Sequence, residues 1–125
     1  MSSRYYENGR LMAQYKSVTK SHSIVMEISI NTSEALVSQM RIQPHSPVDL
    51  VLMLRNMADE LYESGIVQIV QQVTPSDWET VLEPIQMFEY VNTNHTHGYV
   101  NIRCATNKFP EAVMRALDYQ PPQMN

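Results

Sequence analysis

Two histidines one residue apart, His95 and His97, stand in the polar stretch NTNHTHG. A His-x-His pair can supply two ligands to zinc, which needs at least a third protein ligand. The nearest candidates are His45 and Asp49, or Glu89, and no motif spacing brings them to the pair. Polar loops that join two strands carry such residues for ordinary reasons. We therefore predict a hairpin tip without a bound metal, and keep a metal-dependent hydrolase as an alternative function.

The single cysteine, Cys104, is a nucleophile by type, and His97 would be its base. A lone thiol within a strand usually packs as a small apolar side chain. The sequence has no G-x-S-x-G, no H-E-x-x-H and no phosphate-binding glycine loop. One cysteine excludes an internal disulfide and suits a reducing compartment. These features predict a cytoplasmic protein with no catalytic residue and no cofactor.

Arginines and tyrosines at the start of the chain form the most suggestive group. Residues 1–20 hold four cations and one carboxylate, for a net charge of +3, while the whole chain carries -4. Guanidinium groups bind phosphate and tyrosine rings stack on bases, although the same residues also protect the edges of sheets. We predict a site for a small anionic, nucleotide-like ligand, and list nucleic-acid binding as a second alternative, since dedicated DNA binders are usually basic overall. The predicted ligand-binding residues are Arg4, Tyr5, Tyr6, Arg10, Lys16, His95 and His97.

The elements that would position these residues begin with strands. Asn8-Gly9 is a strong signal for a two-residue hairpin turn, because both residues tolerate a positive φ. RYYE and RLMAQYKSV would be the paired strands. In HSIVMEISI every second residue is apolar, as in a half-buried strand. The next stretch, ALVSQMRI, is either a further strand or a short helix capped by Ser33.

One long helix is predicted in HSPVDLVLMLRNMADELYESG. Ser46 is an N-cap type, Pro47 suits the first helical position and Gly65 supplies the stop. An apolar stripe at helical spacing would lie on the sheet. The stripe consists of Leu50, Met53, Leu54, Met57 and Leu61.

The same helix carries apolar residues outside that stripe. Val48, Val51 and Leu52 make its first half apolar nearly all round, so it needs cover on two sides. A second copy of the chain would provide this cover, because a self-complementary patch closes on itself about a two-fold axis. We predict a dimer or a multiple of one, with these three residues at the interface.

The second half of the chain continues the mixed pattern. IVQIVQQV is a strand that leads into TPSDWETVLE, a short helix that Pro84 should prevent from running far. IQMFEYV and YVNIRCAT are rich in β-branched and aromatic residues and are predicted strands. FPEAVMRALDY is a closing helix.

Together these patterns predict an α+β fold, with an antiparallel sheet of about five to seven strands, one long helix packed on it and two shorter helices. We expect a single domain over residues 1–119 and a flexible tail over 120–125. No apolar run approaches the roughly 20 residues of a membrane helix. The predicted function is a non-enzymatic binding or regulatory protein that forms homo-oligomers and holds a partner protein or a small anionic ligand. Its composition, rich in Met, Asn and Gln, is similar to that of small accessory proteins of phages and mobile elements.

Overall fold

Seven strands form one sheet in the computed structural model, which describes residues 2–120. Their order is β1-β2-β3-β4-β5-β7-β6, and every neighbouring pair is antiparallel except β4 and β5, which are parallel. The predicted tail lies, over residues 121–125, outside the described residues. The strands are β1 (Ser2–Glu7), β2 (Arg10–Lys16), β3 (His22–Ser29), β4 (Glu34–Ile42), β5 (Gln68–Val73), β6 (Glu89–Asn94) and β7 (Tyr99–Ala105).

Helices connect and cover this sheet on one side. The long helix is α1, and α2, a π-helical turn and α3 follow β5 without a break. A 3-10 turn leads into α4 at the end of the described chain. The predicted α+β class, with one long and two shorter helical segments, is confirmed. The bounds are α1 (Pro47–Glu63), α2 (Pro75–Asp77), the π turn (Trp78–Leu82), α3 (Glu83–Ile85), the 3-10 turn (Thr106–Lys108) and α4 (Phe109–Asp118).

Turn chemistry and alternation place the first four strands. Asn8 and Gly9 both have positive φ, of 51° and 77°, between the paired strands β1 and β2. Every second residue of β3 is buried, from His22 to Ile28, whereas Ile30 lies beyond the strand end and is exposed. The stretch after it is a strand and not a helix. Ser33 has a φ of 57° and belongs to the turn that precedes β4.

The helix α1 packs its predicted stripe on the sheet, and all five stripe residues are buried. Ser46 is the N-cap by position, but its side chain makes no capping hydrogen bond. At the other end the N–H of Gly65 donates to the carbonyl of Tyr62, and that of Ile66 donates to the carbonyl of Leu61. This is a Schellman termination, and the φ of 86° at Gly65 is the reason that glycine suits it.

The helical segment after β5 runs further than the sequence predicts. Thr74 caps it, since its Oγ1 accepts a hydrogen bond from the N–H of Asp77 at 3.1 Å. Pro84 does not stop it, because a π turn precedes this residue and the N–H of Glu83 reaches back to the carbonyl of Trp78. The wider turn removes the need for an N–H at proline. As a result β6 begins at Glu89, later than predicted.

The two faces of the sheet differ in character. The covered face packs against α1 and α4 through buried residues such as Ile24, Met26, Ile69 and Cys104. The opposite face, which we call the open face, is largely polar and partly exposed. Its residues include Gln14, Glu27, Gln72, Asn101 and Arg103.

Candidate functional site

The parallel strands β4 and β5 run side by side for only part of their length. Residues 34–37 of β4 pair with 68–71 of β5, but β4 continues to Ile42 and β5 to Val73. On its other side β4 remains paired with β3 up to Ile42. Within residues 2–120, no strand pairs with the β5-facing edge of residues 38–42. We call this opening the strand gap. The backbone N–H and C=O groups along its edge can pair with an extended ligand that contains amides.

A β-bulge explains why the two strands separate. Val25 of β3 pairs with Gln39 while Met26 pairs with Val37, so Ser38 is an extra residue in β4. The Ser38 hydroxyl donates to the Val25 carbonyl at 3.0 Å, which holds the bulge in place. Because a bulge bends its strand and increases the twist, the end of β4 turns away from β5.

A buried histidine fixes the connection between β4 and α1, at the wide end of the gap. His22 is fully buried, and its Nδ1 accepts a hydrogen bond from the N–H of Gln43 at 3.1 Å. That bond assigns the ring proton to Nε2, which donates to the carbonyl of Ser46 at 2.8 Å. His22 was not among the residues predicted to have a role. The alternation that places it on the same face as Ile24 was the signal that could have identified it.

A small cavity lies where the gap meets the first turn of α1. Its volume is about 230 Å³ and most of its lining is apolar. The end of α4 closes one side of it, so the carboxylate of Asp118 stands near the start of α1, where Asp49 occupies the first turn. The lining residues are Ile42, Gln43, Pro44, Pro47, Leu50, Met114, Leu117 and Asp118.

A depression on the open face adjoins the narrow end of the gap. It has a volume of about 440 Å³, and Ser38 and Gln39, the first β4 residues beyond the β5 pairing, line it together with Glu27. The Glu27 carboxylate lies 3.6 Å from an Arg10 nitrogen and its side chain is 32% exposed. Glu27 also lines a second depression, of about 280 Å³, beside Glu34. An ionisable, partly shielded carboxylate therefore stands next to the point where β4 and β5 part.

The predicted ligand-binding residues near the N-terminus divide between the two faces. Tyr5 and Arg10 line the open-face depression. On the covered side, Arg4 donates to the hydroxyl of Ser64 at 2.8 Å. Tyr6 is 73% exposed at the sheet edge and Lys16 is exposed at the end of β2. Of the three predicted cationic residues, Arg4, Arg10 and Lys16, Arg10 is the one that lines the open-face depression beside the gap.

The two predicted histidines lie at the other end of the sheet, in the turn between β6 and β7. The ring of His97 stacks on that of Tyr99 with centroids 5.9 Å apart, and the backbone N–H of His97 donates to Asn94 Oδ1 at 3.0 Å. His95 is exposed. Six inter-strand steps of about 4.8 Å, roughly 29 Å, separate β6 from β1, so no small ligand contacts both predicted groups. Across residues 2–120 no three His, Cys, Asp or Glu side chains converge as metal ligands.

Cys104 lies on the covered face, whereas His97, the base considered for it, lies in the turn between β6 and β7. Burial raises the pKa of its thiol to about 11, with Lys108 opposing the shift slightly. The thiol is therefore protonated at neutral pH and is an inert part of the core.

The predicted oligomer interface is exposed in one copy of the chain. Val48 is 71% and Leu52 is 51% exposed, while Val51 is partly covered. Val18, which is 86% exposed, lines a depression together with Leu52 and extends the apolar surface. Contact between two copies through this surface stays a prediction.

Solved structures of N-acetyltransferases share this fold. The chain is similar to a variant of the spermidine N-acetyltransferase of Vibrio cholerae, with a TM-score of 0.55 and 14% identity over 83% of this chain and 69% of that one. A candidate acyl-CoA N-acyltransferase of Klebsiella pneumoniae has a TM-score of 0.51 and 6% identity over 77% of this chain and 72% of that one. The PaiA N-acetyltransferase of Thermoplasma acidophilum, in complex with coenzyme A, has a TM-score of 0.50 and 11% identity over 84% of this chain. The chain spans 60% of that last protein.

These likenesses establish the fold, which is of the GNAT N-acetyltransferase type. No protein-family model matches the sequence. No curated protein sequence matches it either.

The comparison corrects the predicted function. The prediction of a non-enzymatic binding or regulatory protein is wrong, because the structural neighbours are acyl-transferring enzymes. The accessory-protein comparison and the two alternatives, a hydrolase acting through His95 and His97 and a nucleic-acid binder, are dropped with it. Composition misled the sequence analysis because it holds no information on how strands are ordered. Over the described residues, no helix has the length and apolar character needed to cross a membrane.

Proposed function

We propose that this protein is an N-acyltransferase that moves an acyl group from a thioester to an amine. The observation that carries the proposal is the strand gap, which opens beside the depression that contains Glu27. An extended donor along residues 38–42 would present its thioester next to this carboxylate. The similarity of the fold to N-acetyltransferases supports the same reaction class.

The donor implied by these enzymes is an acyl group on coenzyme A, and only part of that molecule fits. The amide-bearing arm suits the free backbone edge of β4. The pyrophosphate does not suit the first turn of α1, because Pro47 lacks an N–H and Asp118 places a carboxylate beside it. The reaction therefore requires only an acyl thioester on such an arm, without the nucleotide.

The residues beside the gap match the needs of amine acylation. Glu27 accepts a proton from the acceptor, whose neutral nitrogen attacks the thioester carbonyl carbon. Backbone N–H groups at residues 38–40 of the free edge would donate to the oxygen that becomes negative. The C–N bond forms, the C–S bond breaks, and the sulfur leaves as a thiolate that takes up the second proton lost by the acceptor nitrogen. The products are an amide and a free thiol.

The charged residues that line the open-face depression indicate the chemical class of the acceptor. Glu7 and Glu27 line it and attract an amine in its ammonium form. Arg10 and Tyr5 line it too, which suits an anionic group on the same molecule. We propose a small amine that also carries a carboxylate or phosphate as the acceptor class, with Arg10 holding the anionic group.

The test is acyl transfer from S-acetyl thioesters to a panel of primary amines, followed by mass spectrometry. Glu27→Gln should lower kcat/KM by about 10²–10⁴-fold, the usual contribution of a general base. Arg10→Gln should raise KM mainly for acceptors that carry an anionic group. Glu79→Gln, the same change at an exposed position on the π turn, is the matched control. Full activity in Glu27→Gln would refute the role of this carboxylate, and no transfer to any amine by the unaltered protein would refute the reaction.

Two further properties follow the earlier predictions. We propose a dimer that buries the apolar surface of Val48, Val51 and Leu52, since exposed apolar patches of this kind mark protein contacts. A cytoplasmic location is proposed because the one thiol, that of Cys104, is free. Mass measurement in solution tests the dimer, and fractionation of cells tests the location.

A further inference from the structure

We infer that the acyl donor is a pantetheine thioester that carries no nucleotide pyrophosphate. This inference rests on the proposed acyl transfer and names the class of its donor. Residues 38–42 of β4 lead from the Glu27 depression directly to the first turn of α1. If the thioester of the donor lies at the narrow end of the gap, the opposite end of the donor lies at that turn. We call this part of the site the carrier end.

Two prolines reduce the number of backbone donors at the carrier end. Pro44 and Pro47 have no N–H group, and the N–H of Gln43 is bonded to His22. The chain has glycines at positions 9, 65 and 98 only, so every residue of this connection carries a side chain. Anion sites at helix N-termini rely on several free N–H groups and on close approach of the backbone, which glycine permits.

The charges at the carrier end oppose a pyrophosphate as well. Asp49 stands in the first turn of α1, and Asp118 lines the cavity against Pro47. The cation that precedes the connection, Arg41, extends the other way and donates to the Lys20 carbonyl at 3.5 Å, over the turn between β2 and β3. Phosphates placed in the cavity would meet the carboxylate of Asp118. Asp49 lines a separate depression, which Lys16 also lines.

The cavity at this end suits the outer part of a pantetheine arm. That part carries two methyl groups and a hydroxyl group, which match a mostly apolar lining with a few polar atoms. The volume of about 230 Å³ is that of a small group and not of a nucleotide. Ile42 and Leu50 provide apolar contact, and the Gln43 side chain is available to a hydroxyl group.

The experiment compares donors on the full chain. We expect kcat/KM for S-acetylpantetheine to equal or exceed that for acetyl-CoA. Asp118→Asn, which removes the carboxylate that lines the cavity, should improve the use of acetyl-CoA by about two- to fivefold, the effect of one charge near a helix N-terminus, and should leave S-acetylpantetheine unchanged. Asp59→Asn, an exposed position further along α1, should change neither.

The outcomes separate the donor from the reaction. A preference for acetyl-CoA of more than about tenfold, equal to 1.4 kcal/mol, would overturn the donor class and leave the acyltransferase standing. Transfer from neither thioester to any amine would overturn the reaction itself, and the inference with it. An acetylated phosphopantetheinyl carrier protein forms a third arm of the assay. Faster transfer from it than from S-acetylpantetheine supports a protein-borne arm, and equal or slower transfer supports a small free thioester.

Discussion

Replacement of His22 tests whether one buried imidazole stabilises the connection between β4 and α1 at the wide end of the strand gap. In His22→Ala the N–H of Gln43 loses its acceptor, and the Ser46 carbonyl keeps only the bond from Leu50. Each lost hydrogen bond costs about 0.5–1.5 kcal/mol. Removal of a fully buried ring adds a cavity term, so the free energy of unfolding should fall by about 2–4 kcal/mol.

Urea unfolding followed by circular dichroism measures this loss. His45 is an exposed histidine directly before Ser46, the N-cap of α1, and His45→Ala should stay within about 0.5 kcal/mol of the parent. Among variants that still fold, His22→Asn should recover part of the stability, because its amide can replace one of the two bonds. In the two His22 variants, KM for the thioester should also rise more than KM for the amine. The connection between β4 and α1 lies beside the proposed donor site and not beside the acceptor site. Equal stability of His22→Ala and His45→Ala would show that the imidazole does not organise the connection.

Three other changes have expected outcomes. Leu52→Glu should shift a dimer towards the 14.4 kDa monomer in light scattering, and a monomeric parent protein would show that the exposed surface drives no self-association. Replacing both His95 and His97 with alanine should alter the free energy of unfolding by less than about 0.5 kcal/mol, as for other surface loops. A large loss of stability in this variant, or stoichiometric zinc in the parent, would contradict this. The pKa of the Cys104 thiol is raised to about 11 in the folded protein, so this thiol ionises at lower pH in the unfolded chain. The free energy of unfolding should therefore decline as the pH rises from the ordinary thiol range towards 11. Cys104→Ala should lack that decline, and alkylation of the folded parent at pH 8 as fast as that of a free thiol would refute the shift.

Local patterns in the sequence predicted the elements of this fold well. Asn8-Gly9 marked the first hairpin because its backbone angles depend on those two residues. The stripe of α1 and the alternation of β3 marked their buried faces, since period and packing side are linked within one element. The short helix after β5 was less well predicted. Its π turn accommodates Pro84, and proline alone indicates an end.

The order of the strands, and with it the site, depended on contacts far apart in the chain. Residues 34–37 pair in parallel with 68–71 across the whole of α1, and no local pattern indicates such a pairing. The bulge at Ser38 then separates the two strands, and only the assembled sheet brings the gap beside Glu27. The sequence by itself determined most of the helical and extended segments and the buried faces of α1 and β3. The tertiary structure decided that a free strand edge and a carboxylate meet, because that meeting is a property of strand order and not of any one segment.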